Sequence, residues 1–88
     1  MKLILDGEQI LDRESLHKHM ETVLQFPEWY GGNLDALHDC LTELMEELDI
    51  CVLHMESLER HLGDYAGKLL QVLRDAEAAN PNILVRID

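Results

Sequence analysis

Acidic side chains recur at helical spacing in the middle of this sequence. Asp35, Asp39 and Glu43 stand four residues apart, and Glu46 follows three residues later. Residues at these spacings share one face of an α-helix, so the sequence predicts a row of carboxylates along a single helix. Like charges at this spacing cost an isolated helix roughly 0.2–0.5 kcal/mol per pair. Such a row indicates that a cationic partner outside the chain supplies the compensating charge.

Aromatic residues and two glycines come directly before this row. Trp29 and Tyr30 precede the glycines at positions 31 and 32, and Asn33 is a good N-cap for the helix that follows. Trp and Tyr are the residues that most often anchor protein interfaces. We expect Tyr30 to be the more buried ring. We therefore interpret the stretch from Pro27 to Glu47 as a binding surface.

The charge of the whole chain favours a basic protein as partner. Its 88 residues include 18 acidic and seven basic ones, for a net charge of -11, and no Lys or Arg lies between Lys18 and Arg60. This charge repels nucleic acid and anionic membranes, so neither is expected as a partner. Attraction to a basic protein would speed encounter and weaken in salt.

Length and apolar content indicate one domain that spans residues 1–88. An apolar fraction of 47% is ordinary for a folded protein. The N-terminus meets Asp6 and Gly7 after a short apolar run, which does not fit a signal peptide, and no other run reaches membrane-spanning length. We expect a cytoplasmic protein that is monomeric when free. Cys40 and Cys51 are expected to be free, buried thiols.

Apolar runs of strand length alternate with helical patterns along the chain. The runs lie near residues 3–5, 50–53 and 83–87, and the segments between them carry apolar residues at helical spacing. The predicted order is β-α-α-β-α-α-β. Continuous apolar strands joined by helical crossovers favour an α/β fold in two layers, with a three-stranded parallel sheet packed against helices on one side.

Capping residues predict where the helices begin and end. Asp12 is expected to cap a helix that runs to about Gln25. Ser57 is expected to cap a short helix that Gly63 ends, and Asp64 to cap the last helix. The apolar face expected for the first helix consists of Leu16, Met20, Val23 and Leu24.

The segment from residue 27 to residue 42 closely resembles the barstar family, intracellular inhibitors of the secreted ribonuclease barnase. It reads Pro-Glu-Trp-Tyr-Gly-Gly-Asn-Leu-Asp-Ala-Leu-His-Asp-Cys-Leu-Thr. The resemblance extends to residues 6–10 and 70–76 and covers essentially the whole chain, with residues 43–67 the loosest part. It implies a three-stranded parallel sheet packed against helices. It also implies a non-enzymatic inhibitor that blocks a basic ribonuclease one-to-one, with the central helix and the loop before it in the active site.

The resemblance also implies roles for individual residues. Asp39 is similar to the carboxylate that occupies the phosphate site of the enzyme, and Asp35 to a second one that meets the basic rim. Trp29 stands where the family has a tyrosine that stacks on a catalytic histidine, and Asp75 matches an acidic residue that adds a salt bridge. The residues expected to bind the partner are Trp29, Gly31, Asn33, Leu34, Asp35, His38, Asp39, Thr42, Glu43, Glu46 and Asp75.

Five positions depart from the family pattern. His38 and Leu44 replace tryptophans, and Gly32 replaces a glutamate. Asp75 is one methylene shorter than the family's glutamate, and Trp29 keeps the stacking face of the tyrosine but lacks its hydroxyl. These departures favour a related ribonuclease, rather than barnase itself, as the target.

Other functions compete with this interpretation. An immunity protein or antitoxin against a different nuclease toxin would use the same acidic surface. A small acidic carrier protein would need a serine after an aspartate, whereas Ser15 and Ser57 each follow a glutamate. The five histidines share no ligand spacing and are expected at the surface or half-buried, so no metal or other cofactor is expected. His38 and Asp39 diverge by about 100° on a helix, which argues against an acid–base pair and an enzyme.

Overall fold

The computed structural model describes residues 1–88 as an open sheet of three strands with four helices. All strand pairs are parallel, and the central strand is the second in the chain. The predicted α/β class, element order and parallel sheet are confirmed. The elements are β1 (Lys2–Asp6), α1 (Arg13–Leu24), α2 (Leu34–Thr42), β2 (Leu48–Leu53), α3 (Met55–Leu62), α4 (Asp64–Ala79) and β3 (Ile83–Ile87).

Burial alternates along the outer strands, so the helices cover one face of the sheet. Leu3 and Leu5 of β1 are fully buried, whereas Ile4 between them is exposed. In β3, Ile83 and Val85 are buried and the residue between them is exposed. Successive side chains of a strand point to opposite faces, so one face packs in the core and the other is open to solvent. None of the helices is both long and apolar enough to cross a bilayer.

The buried face of α1 is rotated relative to the predicted one. Leu16, Met20 and Leu24 are buried as expected, but so is His17, whereas Val23 is exposed. Each residue turns the helix by about 100°, which places His17 and Val23 at opposite edges of the leucine–methionine stripe. The prediction for Val23 is therefore wrong, because the stripe packs toward its His17 edge.

The first helix is capped as predicted. The Asp12 carboxylate accepts a hydrogen bond from the Ser15 backbone N–H at 2.7 Å, and the Ser15 hydroxyl oxygen accepts one from the Asp12 N–H at 3.2 Å. These two bonds form a capping box. The backbone hydrogen bond from Ser15 lowers the pKa of the Asp12 carboxyl. The C-cap is Gln25, in the left-handed region, so the predicted end is also confirmed.

The capping predictions for Ser57 and Asp64 are wrong. The helix α3 already begins after His54, so Ser57 lies inside it, where its hydroxyl accepts a hydrogen bond from Arg60 at 2.8 Å. Gly63 ends α3 as predicted, but it is also the N-cap of α4. Because one glycine with a φ of 61° joins the two helices, Asp64 is already the first helical residue.

Two glycines differ sharply in the space around them, and we predict opposite effects of replacing each by alanine. A Cβ on Gly7 would collide with the carbonyl oxygen of His54 and lie 2.7 Å from the Leu58 nitrogen, whereas a Cβ on Gly67, inside α4, would meet nothing within 4 Å. We expect Gly7→Ala to destabilise the fold by about 1–3 kcal/mol. Gly67→Ala should stabilise it by about 0.5–1 kcal/mol. Urea unfolding of both variants measures these changes, and shifts of the same sign would contradict the packing described here.

Candidate partner-binding site

The helix α2 separates an apolar face from an acidic one. Leu37 and Leu41 are fully buried, and the helix packs against α4. Asp35 and Asp39, one turn apart, lie on the exposed side, and the Asp39 side chain is 70% exposed. Burial of the two leucines contributes about 1.5–3 kcal/mol for each side chain. This burial therefore holds the two carboxylates outward in spite of their mutual repulsion.

The acidic row is shorter than predicted. Glu43 is the C-cap of α2, and Glu46 lies beyond the helix, so the prediction that Glu46 continues the row is wrong. The buried side chain of Asn80 explains the end of the helix. Its amide donates to the carbonyl oxygens of Leu41 at 2.9 Å and Leu44 at 3.0 Å, so the chain leaves α2 with these carbonyls satisfied.

No cation of the chain pairs with the acidic residues of α2. Asp39 Oδ1 lies 4.0 Å from the imidazole Nδ1 of its neighbour His38, and neither Asp39 nor Asp35 forms a salt bridge with Lys or Arg. Burial raises the pKa of the Cys40 thiol, and the carboxylates of Glu43 and Asp39 raise it further. The exposed face of α2 is thus acidic and forms no salt bridge with a Lys or Arg of the chain.

The loop before α2 presents one aromatic ring and buries the other, as predicted. Tyr30 is 7% exposed, whereas Trp29 is 59% exposed. The Tyr30 N–H donates to the Pro27 carbonyl at 2.9 Å, which closes a tight turn, and the Tyr30 ring lies 4.7 Å from the ring of Phe26. The buried Tyr30 ring fixes the turn, and the turn holds the Trp29 ring at the surface.

A helix cap joins this loop to α2, as predicted. The Asn33 side chain accepts a hydrogen bond from the Ala36 N–H at 2.8 Å. Gly32 has a φ of 67°, a conformation that favours glycine. Gly31 and Gly32 are exposed, and Leu34 packs partly against the core. The loop therefore enters the helix through a defined turn, with Asp35 in the first turn of α2.

The two remaining predicted site residues make local hydrogen bonds. The Thr42 hydroxyl donates to the carbonyl oxygens of His38 at 3.0 Å and Asp39 at 3.1 Å, within α2. Asp75 lies exposed on α4, the helix against which α2 packs, and its carboxylate accepts a hydrogen bond from Gln71 at 2.9 Å. Asp75 is thus the one predicted residue that lies outside the loop, α2 and the turn after it.

A buried histidine that could not be recognised from the sequence holds the loop in place. His17 of α1 is buried, so the expectation of surface or half-buried histidines is wrong for it. Its Nδ1 is hydrogen-bonded to the Tyr30 hydroxyl, and its Nε2 lies 2.6 Å from the Tyr65 hydroxyl of α4. A neutral imidazole has one donor and one acceptor nitrogen, and each meets a phenol here. The network joins α1, the loop and α4.

Burial controls the protonation of this network. It lowers the pKa of His17 and raises the pKa of both Tyr30 and Tyr65. All three side chains are therefore neutral near pH 7. The sequence contains one indication that His17 is buried, which is its position. On a helix, His17 lies at the edge of the apolar stripe, on the buried side of α1.

Residues 1–87 match the family model described as Barstar (barnase inhibitor). The chain belongs to the barstar family. A protein of Bacillus subtilis (strain 168) named "Putative ribonuclease inhibitor YrdF" is 39% identical over 77 residues, which cover 86% of this chain and 85% of that protein. Barstar proteins are inhibitors rather than enzymes, so the predicted family and the predicted lack of enzymatic activity are confirmed.

The His17 network predicts a stability that falls in mild acid. The pKa of His17 is lowered on folding, so the unfolded chain, with an ordinary value near 6.5, binds a proton that the folded chain does not. The stability that the neutral His17 side chain contributes is therefore complete above pH 6.5. It is lost as the pH falls from 6.5 toward the pKa of His17 in the folded state. We expect His17→Gln to flatten this dependence in urea unfolding, while the exposed control His19→Gln keeps it. Equal slopes in His17→Gln and the parent protein would contradict the assignment.

Proposed function

We propose that this barstar-family protein is a one-to-one inhibitor of a basic ribonuclease and fills its active site with the loop at residues 27–33 and the acidic face of α2. The observation that carries the proposal is the pair Asp35 and Asp39, which are exposed one turn apart and form no salt bridge with Lys or Arg of the chain. Arg13 and Lys68 line a pocket together with Asp35 but form no salt bridge with it. The family model and the named relative support a ribonuclease as the class of partner.

The proposed mechanism is mimicry of the substrate by charge. In the complex, the Asp39 carboxylate takes the place of a substrate phosphate and faces the cationic groups that serve catalysis. Asp35, toward the start of the helix, meets the basic rim of the same cleft. Removing these carboxylates from water is costly, but each gains a cationic hydrogen-bond donor in the cleft. The enzyme loses activity because its phosphate-binding charges are neutralised and its cleft is filled.

The exposed Trp29 ring supplies the apolar part of the proposed contact. In the complex its face stacks on an imidazole of the enzyme, as the family pattern implies for this position. The ring is carried by a turn that the buried Tyr30 and its partner His17 already fix. A turn ordered before binding loses little conformational entropy on docking, which favours affinity.

Residues around the site that differ from the family pattern support a target ribonuclease that is related to barnase but distinct from it. His38 is partly exposed and offers less apolar area than the tryptophan of the family pattern. The positive φ of Gly32 disfavours the glutamate of that pattern. Leu44, by contrast, packs partly against the core, so its replacement changes packing more than the rim. The same surface suits an immunity protein or antitoxin against a different nuclease toxin.

Truncating Asp39 should weaken binding more than any other single substitution. We expect Asp39→Ala to cost about 2–5 kcal/mol, the general range for one partner of a buried charge pair, of which barnase–barstar is itself a measured case. This corresponds to a rise in Kd of roughly 30-fold to several thousand-fold. Asp35→Ala should rank second. The measurement is Kd by titration of ribonuclease activity, after immobilised protein has captured its target from lysate and medium of the source organism.

A charge-matched control separates the local contact from overall attraction. Glu59 is exposed on α3 and is not among the predicted site residues, and Glu59→Ala removes the same unit of charge. We expect this variant to bind within about threefold of the parent protein, since only long-range attraction changes. An Asp39→Ala variant that binds as tightly as Glu59→Ala would refute the proposed mimicry.

A further inference from the structure

A second group of polar side chains lies at the carboxyl edge of the sheet, outside the partner-binding residues. Asp6 ends β1, Glu8 follows in the turn, and His54 lies between β2 and α3. One ligand atom from each of the three lies within 4.8 Å of the other two. The residues come from two segments about 46 positions apart. Only the fold brings them together, and their spacing in the sequence gave no sign of it.

Backbone contacts hold the two segments against each other. The Gly7 N–H donates to the Leu53 carbonyl at 2.8 Å, which extends the β1–β2 pairing by one residue. Gly7 also packs so closely on the His54 carbonyl that no side chain fits there. The same carbonyl accepts a hydrogen bond from the Leu58 N–H at 3.1 Å. The backbones of the three polar residues are therefore fixed relative to one another.

The distances suit a small divalent ion. His54 Nε2 lies 3.3 Å from Glu8 Oε1. Two ligands at about 2.0–2.1 Å from a tetrahedral zinc ion are about 3.3–3.4 Å apart. Asp6 Oδ1 accepts a hydrogen bond from the Glu8 N–H at 2.9 Å, which orients the carboxylate and leaves its second oxygen available. A common ion requires side-chain rotations that bring the three donor atoms closer together than the 4.8 Å within which they lie.

The charge of the group also favours a cation. Neither Asp6 nor Glu8 forms a salt bridge with a Lys or Arg, and Glu8 pairs with His54. The His61 ring is also near, with its Nδ1 2.9 Å from the carbonyl oxygen of Gly7. A divalent ion would neutralise both carboxylates at once. The competing explanation is a simple ion pair between protonated His54 and Glu8, which does not require Asp6.

We propose that Asp6, Glu8 and His54 form a binding site for a divalent transition-metal ion, with zinc as the first candidate. Imidazole as a ligand favours zinc and its neighbours over magnesium and calcium, which prefer oxygen ligands alone. Three protein ligands leave a coordination position for water. The ion would join the end of β1 to the start of α3 and so stabilise the fold.

Zinc titration of the metal-free protein tests this site without any ribonuclease, so its outcome is independent of the proposed inhibition. By isothermal titration calorimetry we expect one zinc equivalent to bind, with a Tm rise of several degrees at saturation. Asp6→Asn keeps an oxygen for the Glu8 N–H and leaves the ion pair intact, so it should lower zinc affinity at least about tenfold only if Asp6 is a ligand. Glu8→Gln should lower it similarly, while His19→Asn, an exposed histidine elsewhere, should bind as the parent does.

The NMR signals of the histidine rings give a readout that needs no variant. Zinc should shift the imidazole resonances of His54 and leave those of His19 and His38 in place. The proposal is overturned if zinc produces no saturable heat, if Asp6→Asn binds zinc as tightly as the parent protein, or if the shifted resonances belong to another histidine.

Discussion

The burial of one face of α2 is the constraint on which the rest of the site depends. Leu37 and Leu41 are fully buried, so Asp35 and Asp39 lie on the solvent-exposed side of the helix. A free helix of this sequence would be weakened by its repeated negative charges. Packing in the core outweighs that cost, because burial of even one leucine contributes more than several like-charge pairs remove. The fold thereby keeps two carboxylates exposed on the same face of the helix.

Both ends of this helix are tied to other parts of the fold by buried polar side chains. At its start, Tyr30 fixes the preceding turn through the His17 network, and Asn33 caps the helix. At its end, the Asn80 amide satisfies two carbonyls. A surface held at both ends is already ordered, so docking of a partner there would cost little conformational entropy. The network has its own weakness, since it depends on a histidine that stays neutral.

Features set by neighbouring residues could be predicted from the sequence, whereas those set by contacts between distant segments could not. The caps at Asp12 and Asn33 follow from local hydrogen bonds, and the strands follow from apolar composition. The early end of α2 depends on Asn80, nearly forty residues further on. His17 looked like an ordinary polar residue, because its phenol partners lie 13 and 48 positions away. The cluster of Asp6, Glu8 and His54 could not be predicted either, because His54 is distant in the sequence from the other two residues.

Occupancy of the phosphate site by Asp39 is tested most directly by competition with a phosphate ligand of the enzyme. The measurement is the apparent Kd between this protein and its captured ribonuclease at rising concentrations of a 3′-mononucleotide, with sodium chloride as the control at equal ionic strength. Phosphate mimicry predicts that the apparent Kd rises in proportion to the mononucleotide, well beyond the effect of salt, and that no ternary complex forms. An apparent Kd that follows ionic strength alone, or an enzyme that binds both molecules together, would contradict it.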